Sequence, residues 1–352
     1  MKSFYKGKKI FITGHTGFKG SWLTKILIEF GAEVTGYSLE PLSQPALFNM
    51  LDFGQSLHNN IGDIRDYDHL SSIFNETQPE IVFHLAAQPI VRESFRDPRT
   101  TYDVNVMGTV NILECIRNSN CVKSFVNITT DKVYKNNEWI YGYRENDVLD
   151  GFDPYSNSKS CSELVTGSFV RSFLNERKIA VSTVRSGNVI GGGDFATDRI
   201  IPDCVRAILS GDSLKIRNPY STRPYQHVLE PLYVYLTVAM QQYDDFSKGG
   251  RYNVGPNDDD CISTGTLVKL FSKAWNTKSN LNFKFEIIQN NGPHEANFLK
   301  LDSSLVKSVF NWQPKWDVKT AVEKTIDWMI AYNNKEDINC FMKNQINEFF
   351  TL

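Results

Sequence analysis

Short apolar runs alternate with longer amphipathic stretches through the first half of the chain. The apolar runs have the length and the β-branched and aromatic content of buried strands, and the stretches between them have helical periodicity. The predicted strands are residues 8–13, 33–37, 56–61, 80–86, 123–129 and 179–185, and the predicted helices are residues 17–30, 68–77, 100–118 and 155–177. Repeated strand, helix and strand units predict an α/β fold with a Rossmann-type doubly wound parallel sheet.

The rhythm changes after about residue 188. Residues 191–195, 217–228 and 255–261 are loop-rich and interrupted by glycine and proline, and the elements between them are shorter. We therefore predict a first domain over residues 1–187 and a smaller, mixed C-terminal lobe over residues 188–352. The boundary is soft, and the chain can cross back over it.

Composition narrows the possible partners. The chain has 352 residues, of which 41% are hydrophobic, so it can bury a sizeable core. Its net charge of -2 gives no electrostatic reason to expect binding to nucleic acid or to an anionic membrane surface. No apolar stretch is long enough for a membrane span, and the N-terminus lacks the pattern of a signal peptide.

The cysteines point to a reducing compartment. The six cysteines are scattered, without a CxxC pair and without a cluster that includes histidines. This distribution predicts reduced thiols in a cytoplasmic protein and no metal site.

A glycine-rich turn, GHTGFKG, follows the first predicted strand and opens the first predicted helix. Its glycines, Gly14, Gly17 and Gly20, allow a tight turn and a close approach of the backbone to a diphosphate at the helix N-terminus. In this strand-turn-helix context the motif predicts dinucleotide binding, with Thr16 and Phe18 of the same turn as further contacts. A purely structural glycine turn is the alternative.

The end of the second strand bears on the choice of dinucleotide. A site that prefers NAD usually has a carboxylate there to bind the ribose 2′-hydroxyl, whereas this chain has Ser38. Because no arginine or lysine lies between Glu33 and Asn60 to neutralise a 2′-phosphate, we predict NAD rather than NADP.

Two later turns offer further cofactor contacts. In GDIRD, after the third strand, Asp63 is placed to bind the adenine edge, and Ile64 follows it. In HLAAQ, after the fourth strand, Leu85, Ala86 and Ala87 leave room for a nicotinamide ribose.

Tyr155 and Lys159 have the spacing YxxxK on a predicted helix. This spacing places both side chains on one face, one turn apart. A nearby ammonium stabilises a phenolate, so the pair predicts a tyrosine whose pKa is lowered toward neutrality and which removes an alcohol proton. A chance pair on a helix surface is the alternative.

The stretch TTDKVY places Asp131 and Lys132 side by side just after a predicted buried strand. An ordinary surface pair at a strand end is one explanation. Two neighbouring ionisable groups next to a catalytic tyrosine would instead suit acid-base chemistry.

The chain resembles the extended short-chain dehydrogenase/reductase family, in particular its nucleotide-sugar dehydratases and epimerases. The features that carry the resemblance are GxxGxxG, HLAA, Asn105 in NVMGT, Thr130 and YxxxK. The resemblance implies that Thr130 binds a sugar hydroxyl, that Asn105 lies at the cofactor site, and that the protein is a homo-oligomer. The implied contact helices are residues 100–118 and 155–177, in a dimer or a tetramer.

The resemblance also gives Asp131 a role, because 4,6-dehydratases of this family have an acid-base pair after the Thr. Their usual pattern is Thr-Asp-Glu, and this chain departs from it with Thr-Asp-Lys. This chain is similar to the branch of the family that acts on CDP-glucose. The similarity lies in four stretches, TDKVY, GHTGFKGSWL, YSNSK and RPYQHVLEPL. Asp131 is then the acid that protonates the leaving hydroxyl, while Lys132 either removes the C5 proton or positions the sugar.

A nucleotide diphosphate needs hydrogen-bond donors, and arginine forks suit its oxygens. Solvent-facing arginines are the alternative for each position. By resemblance, Asn188 and Arg223 lie at the substrate diphosphate, and His294 with Glu295 lies in a late contact loop. The candidate substrate-binding residues are Gln88, Asn188, Arg199, Arg217, Arg223 and His294.

Three other functions remain open at this stage. A nucleotide-sugar 4-epimerase shares the cofactor and the Tyr/Lys pair but needs no acid at Asp131. A 4,6-dehydratase for another nucleotide sugar would differ only in base preference. A non-catalytic NAD-sensing regulator would keep the glycine turn without needing Tyr155.

Overall fold

A seven-stranded parallel sheet forms the centre of the computed structural model within the described residues, which are 1–216, 218–288 and 298–351. The strands in chain order are β1 (Lys9–Thr13), β2 (Glu33–Ser38), β3 (Leu57–Ile61), β4 (Ile81–His84), β5 (Ser124–Thr130), β6 (Ala180–Ser186), β7 (Val189–Ile190), β8 (Ser213–Ile216), β9 (Thr222–Pro224), β10 (Gln226–His227), β11 (Arg251–Val254), β12 (Cys261–Ser263) and β13 (Lys284–Ile287). The order across the main sheet is β11-β6-β5-β4-β1-β2-β3, and all its neighbouring strands are parallel. The predicted α/β fold is confirmed.

Helices cover both faces of this sheet and form much of the C-terminal half. They are α1 (Lys2–Tyr5), α2 (Phe18–Glu29), α3 (Tyr67–Thr77), α4 (Val91–Arg96), α5 (Pro98–Tyr102), α6 (Gly108–Asn118), α7 (Pro154–Phe169), α8 (Ile200–Ser210), α9 (Leu229–Asp244), α10 (Thr264–Lys278), α11 (Ser304–Phe310), α12 (Val318–Asn333) and α13 (Ile338–Thr351). The predicted helix 100–118 is interrupted by a π-helical turn at Asp103–Met107, and α7 continues into a second such turn at Val170–Leu174.

Aspartate caps fix where two of the helices begin. The Asp66 side chain accepts a hydrogen bond from the backbone N–H of His69 at the start of α3. In the same way Asp153 accepts from the N–H of Ser156 at the start of α7. Each carboxylate satisfies a backbone donor that has no partner inside the helix. The cap at α7 therefore fixes where the helix with Tyr155 begins.

Both faces of the main sheet are buried. Side chains alternate along each strand, so Ile10 and Ile12 of β1 pack in one core while Phe11 packs in the other. The first core includes side chains of α2 and α9, and the second includes those of α3 and α6. Helices on both faces explain why these strands are apolar runs rather than alternating ones.

The chain returns to the main sheet after residue 188, because β11 pairs with β6 at the edge. The loop after β7 is held by tryptophans from distant helices: Trp22 Nε1 donates to the Gly192 carbonyl at 3.0 Å. A Cβ on Gly192 would lie 1.9 Å from Cγ of Trp328, so only glycine permits this contact. Among the described residues, no helix combines the length and apolar character needed to cross a membrane.

The strand order reverses at β1, which has β2 on one side and β4 on the other. Helices leave neighbouring strands toward opposite faces at such a point, and this opens a crevice at the carboxyl ends of the strands. The predicted glycine turn after β1 and the turn after β4 both lie at this crevice.

Candidate active site

The glycine turn packs directly on the backbone that follows β4. Gly14 has φ of +78°, and a Cβ there would lie 2.6 Å from the Ala86 nitrogen. A Cβ on Gly20 would lie 2.1 Å from the Gly14 carbonyl oxygen. Both positions therefore require glycine, one for its left-handed backbone and both for close packing.

Gly17 has a different environment, which fits a diphosphate. It is exposed and precedes Phe18, the first residue of α2. A Cβ on Gly17 would meet only the Gly14 carbonyl oxygen, at 3.4 Å, so the space in front of the helix N-terminus is open. Backbone N–H groups and the positive end of the helix dipole face such a space, which is the donor set that a dinucleotide diphosphate needs.

The end of β2 is joined to the glycine turn. Thr16 Oγ1 donates to the Leu39 carbonyl at 2.8 Å and lies 2.9 Å from Ser38 Oγ. The structure thus places Ser38 next to the turn, and contact between Ser38 and the cofactor stays a prediction. The hydroxyl pair occupies the region where a carboxylate would bind a ribose.

Asp63 has a partner that the sequence analysis did not foresee. Arg65 donates to it through Nη2 at 2.6 Å and through Nε at 3.0 Å. This bidentate hydrogen bond keeps the pKa of Asp63 below its usual value. Ile64 is buried against Gly108, so this turn is anchored to α6. Contact between Asp63 and an adenine edge stays a prediction.

Asn105 joins the turn after β4 to α7. Its Oδ1 accepts from the Gln88 backbone N–H at 2.8 Å, and its Nδ2 donates to Ser158 Oγ at 2.9 Å. The side chain is buried. Through these bonds Asn105 fixes the backbone next to Leu85, Ala86 and Ala87.

The Gln88 side chain is already engaged within its own loop. Its Nε2 donates to Thr101 Oγ1 at 2.9 Å, and its Oε1 accepts from the Ile90 N–H at 2.6 Å. Substrate binding by Gln88 stays a prediction, and it would require these bonds to be exchanged or shared.

Thr130 and Tyr155 meet where β5 ends and α7 begins. Burial raises the pKa of Tyr155 to about 12, although the nearby Thr130 hydroxyl opposes this. Lys159 is buried and donates from Nζ to the Ile128 carbonyl at 3.1 Å. Burial lowers its pKa to about 8.

This electrostatic state differs from the expectation that Lys159 lowers the pKa of Tyr155 toward neutrality. The ammonium binds a backbone carbonyl rather than the phenol, and desolvation disfavours both charged forms. The structure does confirm that the two side chains come from one face of one helix.

Asp131 is not on the surface, which excludes the simple surface pair. It is 2% exposed, and its Oδ1 accepts from Thr130 Oγ1 at 3.0 Å. Its Oδ2 has no hydrogen-bond partner among the described residues and lies 3.1 Å from where a Cβ on Gly187 would be. Burial raises the pKa of Asp131, although Lys132 and Arg223 oppose this. Lys132 itself is only half-buried.

Lys19 is a residue of the site that the sequence analysis missed. It lies inside the glycine turn, half-buried, with Nζ 6.0 Å from the centre of the Tyr235 ring. Burial, with the positive charges of Lys159 and Arg199, lowers the pKa of Lys19 to about 7, and Asp131 opposes this. The sequence did contain a signal for this role, because Lys19 lies within the glycine motif and directly precedes Gly20, which packs on the turn.

Two of the predicted arginines reach this site from the C-terminal half. Arg199 Nη1 pairs with Asp194 at 2.9 Å, and its charge favours the ionised form of Tyr155. Arg223 is buried, and its charge lowers the pKa of Asp131 against the effect of burial. The Asn188 carbonyl accepts from the Gln226 N–H at 3.0 Å, which joins Asn188 to the segment just after Arg223.

Two further candidates, Arg217 and His294, lie outside the described residues. Within the described part of the chain, no group of three or more His, Cys, Asp or Glu could hold a metal ion.

Comparison with known proteins identifies relatives over nearly the whole chain. Residues 11–325 match the family model described as GDP-mannose 4,6 dehydratase. A CDP-glucose 4,6-dehydratase of Salmonella typhimurium is 44% identical over 99% of this chain and 98% of the relative.

Solved structures share the fold. A UDP-glucose 4-epimerase of Thermotoga maritima, with UDP-glucose, has a TM-score of 0.78 at 22% identity, covering 92% of this chain and 99% of that one. A dTDP-glucose 4,6-dehydratase of Bacillus anthracis in complex with NAD has a TM-score of 0.77 at 20% identity, covering 94% and 98%.

We expect Asp131→Asn to stabilise the folded protein at pH 8. Since the folded-state pKa of Asp131 lies above its unfolded value, the charged carboxylate is a penalty at high pH that disappears as the pH falls below the unfolded value. Thermal unfolding at pH 8 and at pH 4 should therefore show a higher Tm for the variant at pH 8 and a smaller gain at pH 4. Asp244→Asn, at an exposed position, is the matched control and should give no such pH-dependent gain.

Proposed function

The chain belongs to the GDP-mannose 4,6-dehydratase family, and we propose that it converts CDP-D-glucose to CDP-4-dehydro-6-deoxy-D-glucose and water. The observation on which this rests is the buried Asp131 beside Thr130 and Tyr155, because dehydration needs a proton donor there and epimerisation does not. The CDP-glucose specificity is supported by the Salmonella relative. The enzyme is a hydro-lyase, since the reaction has no net oxidation.

Oxidation at C4 is the first step. NAD⁺ held by the glycine turn would supply the acceptor for the C4 hydride and later return that hydride to C6. Tyr155 Oη removes the O4 proton while the Thr130 hydroxyl hydrogen-bonds the same oxygen. The Arg199 charge favours the phenolate of Tyr155, while Lys159, with a pKa of about 8, is mainly an ammonium at neutral pH.

Elimination follows, because the C4 ketone makes the C5 proton acidic. Asp131 protonates the C6 hydroxyl as it leaves, which suits a carboxyl whose pKa is raised by burial. A base removes the C5 proton, so water is lost and a C5–C6 double bond forms. Lys132 is either this base or a group that positions the sugar. A hydride to C6 and a proton to C5 complete the product.

The C-terminal half supplies the substrate contacts. Arg199 and Arg223 reach the catalytic groups from this half, and guanidinium forks suit diphosphate oxygens. Asn188, Arg217 and His294 are further proposed contacts. Residues 1–187 form the proposed cofactor domain and residues 188–352 the substrate lobe, in a cytoplasmic enzyme.

A homo-oligomer is supported by exposed apolar side chains on the predicted contact helices. Met107, Leu164 and Phe173 are 49%, 55% and 41% exposed. Apolar side chains in one region of a surface are typical of an interface between subunits. A second copy of the chain is the proposed occupant.

The reaction is tested with a panel of CDP-, dTDP-, UDP- and GDP-linked glucose, with and without added NAD⁺. We expect CDP-glucose to be the fastest substrate and to give a new C6 methyl resonance in the proton NMR spectrum. Tyr155→Phe should lose about 10²- to 10⁴-fold in kcat because it cannot take the O4 proton. A C4 epimer as product, without a methyl resonance, would exclude dehydration. Faster turnover of another nucleotide-linked glucose would correct the proposed specificity. Unchanged function of Tyr155→Phe would support a non-catalytic regulator.

Lys132→Met separates the two roles of Lys132. If Lys132 is the base, the variant should lose exchange of the substrate C5 proton with D₂O, although it still oxidises C4. NMR of substrate recovered from D₂O measures this exchange. Exchange retained at the wild-type rate would show that Lys132 is not the essential base and would favour positioning.

Leu164→Arg should weaken the proposed subunit contact, because a charge replaces one of its exposed apolar side chains. We expect the mass measured by sedimentation or light scattering to fall toward that of one chain. Ile140→Arg, at a position that is 85% exposed outside these helices, is the control and should leave the mass unchanged. An oligomer that persists in Leu164→Arg would place the interface elsewhere.

A further inference from the structure

A fully buried ion pair lies next to the catalytic end of β5. Arg185 donates to Glu163 through Nε at 2.7 Å and through Nη2 at 2.6 Å. Both side chains have no exposed surface. Thr183 Oγ1 donates to the same carboxylate at 2.9 Å, so the Glu163 carboxylate accepts hydrogen bonds from both Arg185 and Thr183.

The pair holds both ends of the catalytic stretch TTDKVY. At one end, Thr129 Oγ1 donates to Glu163 Oε1 at 2.6 Å. At the other end, Arg185 Nη1 donates to the Tyr134 hydroxyl at 2.6 Å, and this hydroxyl donates to Asn253 Oδ1 at 2.6 Å. Thr130, Asp131 and Lys132 lie between these two anchors.

Glu163 also lies one helical turn after Lys159. Among the described residues, the titratable groups that interact electrostatically with the Lys159 ammonium are Lys19 from the glycine turn, His84 from the end of β4, and Glu163 from α7. Burial lowers the pKa of Lys159 to about 8, and the Glu163 carboxylate opposes this.

We propose that Glu163 is a positioning residue for the reaction, which anchors Thr129 directly, anchors Tyr134 through Arg185, and supplies an anion one helical turn from Lys159. The proposal rests on the proposed function. A buried ion pair is a poor source of stability, because apolar residues of the same volume are often as stable. Its effect here is on geometry and charge at the catalytic residues.

The test substitution is Glu163→Gln, which keeps the shape of the side chain and removes its charge. Loss of the anion lowers the pKa of Lys159, so the alkaline limb of the pH profile of kcat/KM should move to lower pH. We also expect kcat to fall on the order of 10- to 100-fold through misplacement of Thr130 and Asp131.

A second readout does not depend on turnover. NMR titration of ¹³C-labelled lysine side chains, with Lys159 assigned through Lys159→Met, measures the pKa of Lys159 in the free enzyme. A lowered value in Glu163→Gln supports the proposal, and an unchanged value overturns it. Absence of turnover in the unmodified enzyme with every nucleotide sugar would instead overturn the proposed function and leave this titration interpretable.

Two further variants separate charge from folding. Glu163→Gln leaves Arg185 buried without its anion, which can unfold a protein. If it does, Glu163→Gln with Arg185→Met removes both buried charges and should fold. Loss of the Arg185 cation offsets loss of the anion at Lys159, so this variant is judged by kcat, and a kcat equal to that of the unmodified enzyme overturns the proposal. Thr129→Val keeps the carboxylate and loses one hydrogen bond, so kcat should fall while the pKa of Lys159 stays. A Lys159 pKa lowered equally by Thr129→Val would show that packing, and not the charge of Glu163, is responsible.

Discussion

The buried contact between Glu163 and Arg185 is the constraint on which the geometry of the site depends. Removing two charges from water is unfavourable unless each finds partners, and here α7, β5 and β6 supply them. The bonds fix α7 against the strand that ends in Thr130. Tyr134 extends the network to Asn253 on β11, so the edge strand from the C-terminal half belongs to the same structure.

Burial sets the electrostatics of this region by disfavouring every charged form. It raises the pKa values of Tyr155 and Asp131 and lowers those of Lys19 and Lys159. The acids thus tend to keep their protons, and the amines hold theirs less tightly. A carboxyl with a raised pKa suits proton donation, and amines with pKa values of about 7 and about 8 exchange protons near neutral pH, whereas Tyr155 depends on the nearby Arg199 charge to reach its ionised form. The cations also favour a negatively charged substrate.

Local patterns in the sequence predicted most of the main sheet and the helices around it. The π-helical turns at Asp103–Met107 and Val170–Leu174 were missed, because both segments still have helical spacing. β11 was missed for another reason: it is a short strand in a loop-rich region, and its partner β6 lies far away in the sequence. The Arg65 partner of Asp63 was missed although it lies only two residues away, because side-chain pairing depends on the shape of the turn.

The sequence by itself determined the order of the elements in the first half of the chain, the glycines of the turn and the helical face shared by Tyr155 and Lys159. These features depend on backbone conformation and on spacing within one element, and both are local properties. Only the tertiary structure decided that Asp131 is buried, that Lys19 faces the same site, and that Glu163 meets Arg185. Burial and Coulomb interactions depend on distances between residues far apart in the chain, and folding alone sets those distances.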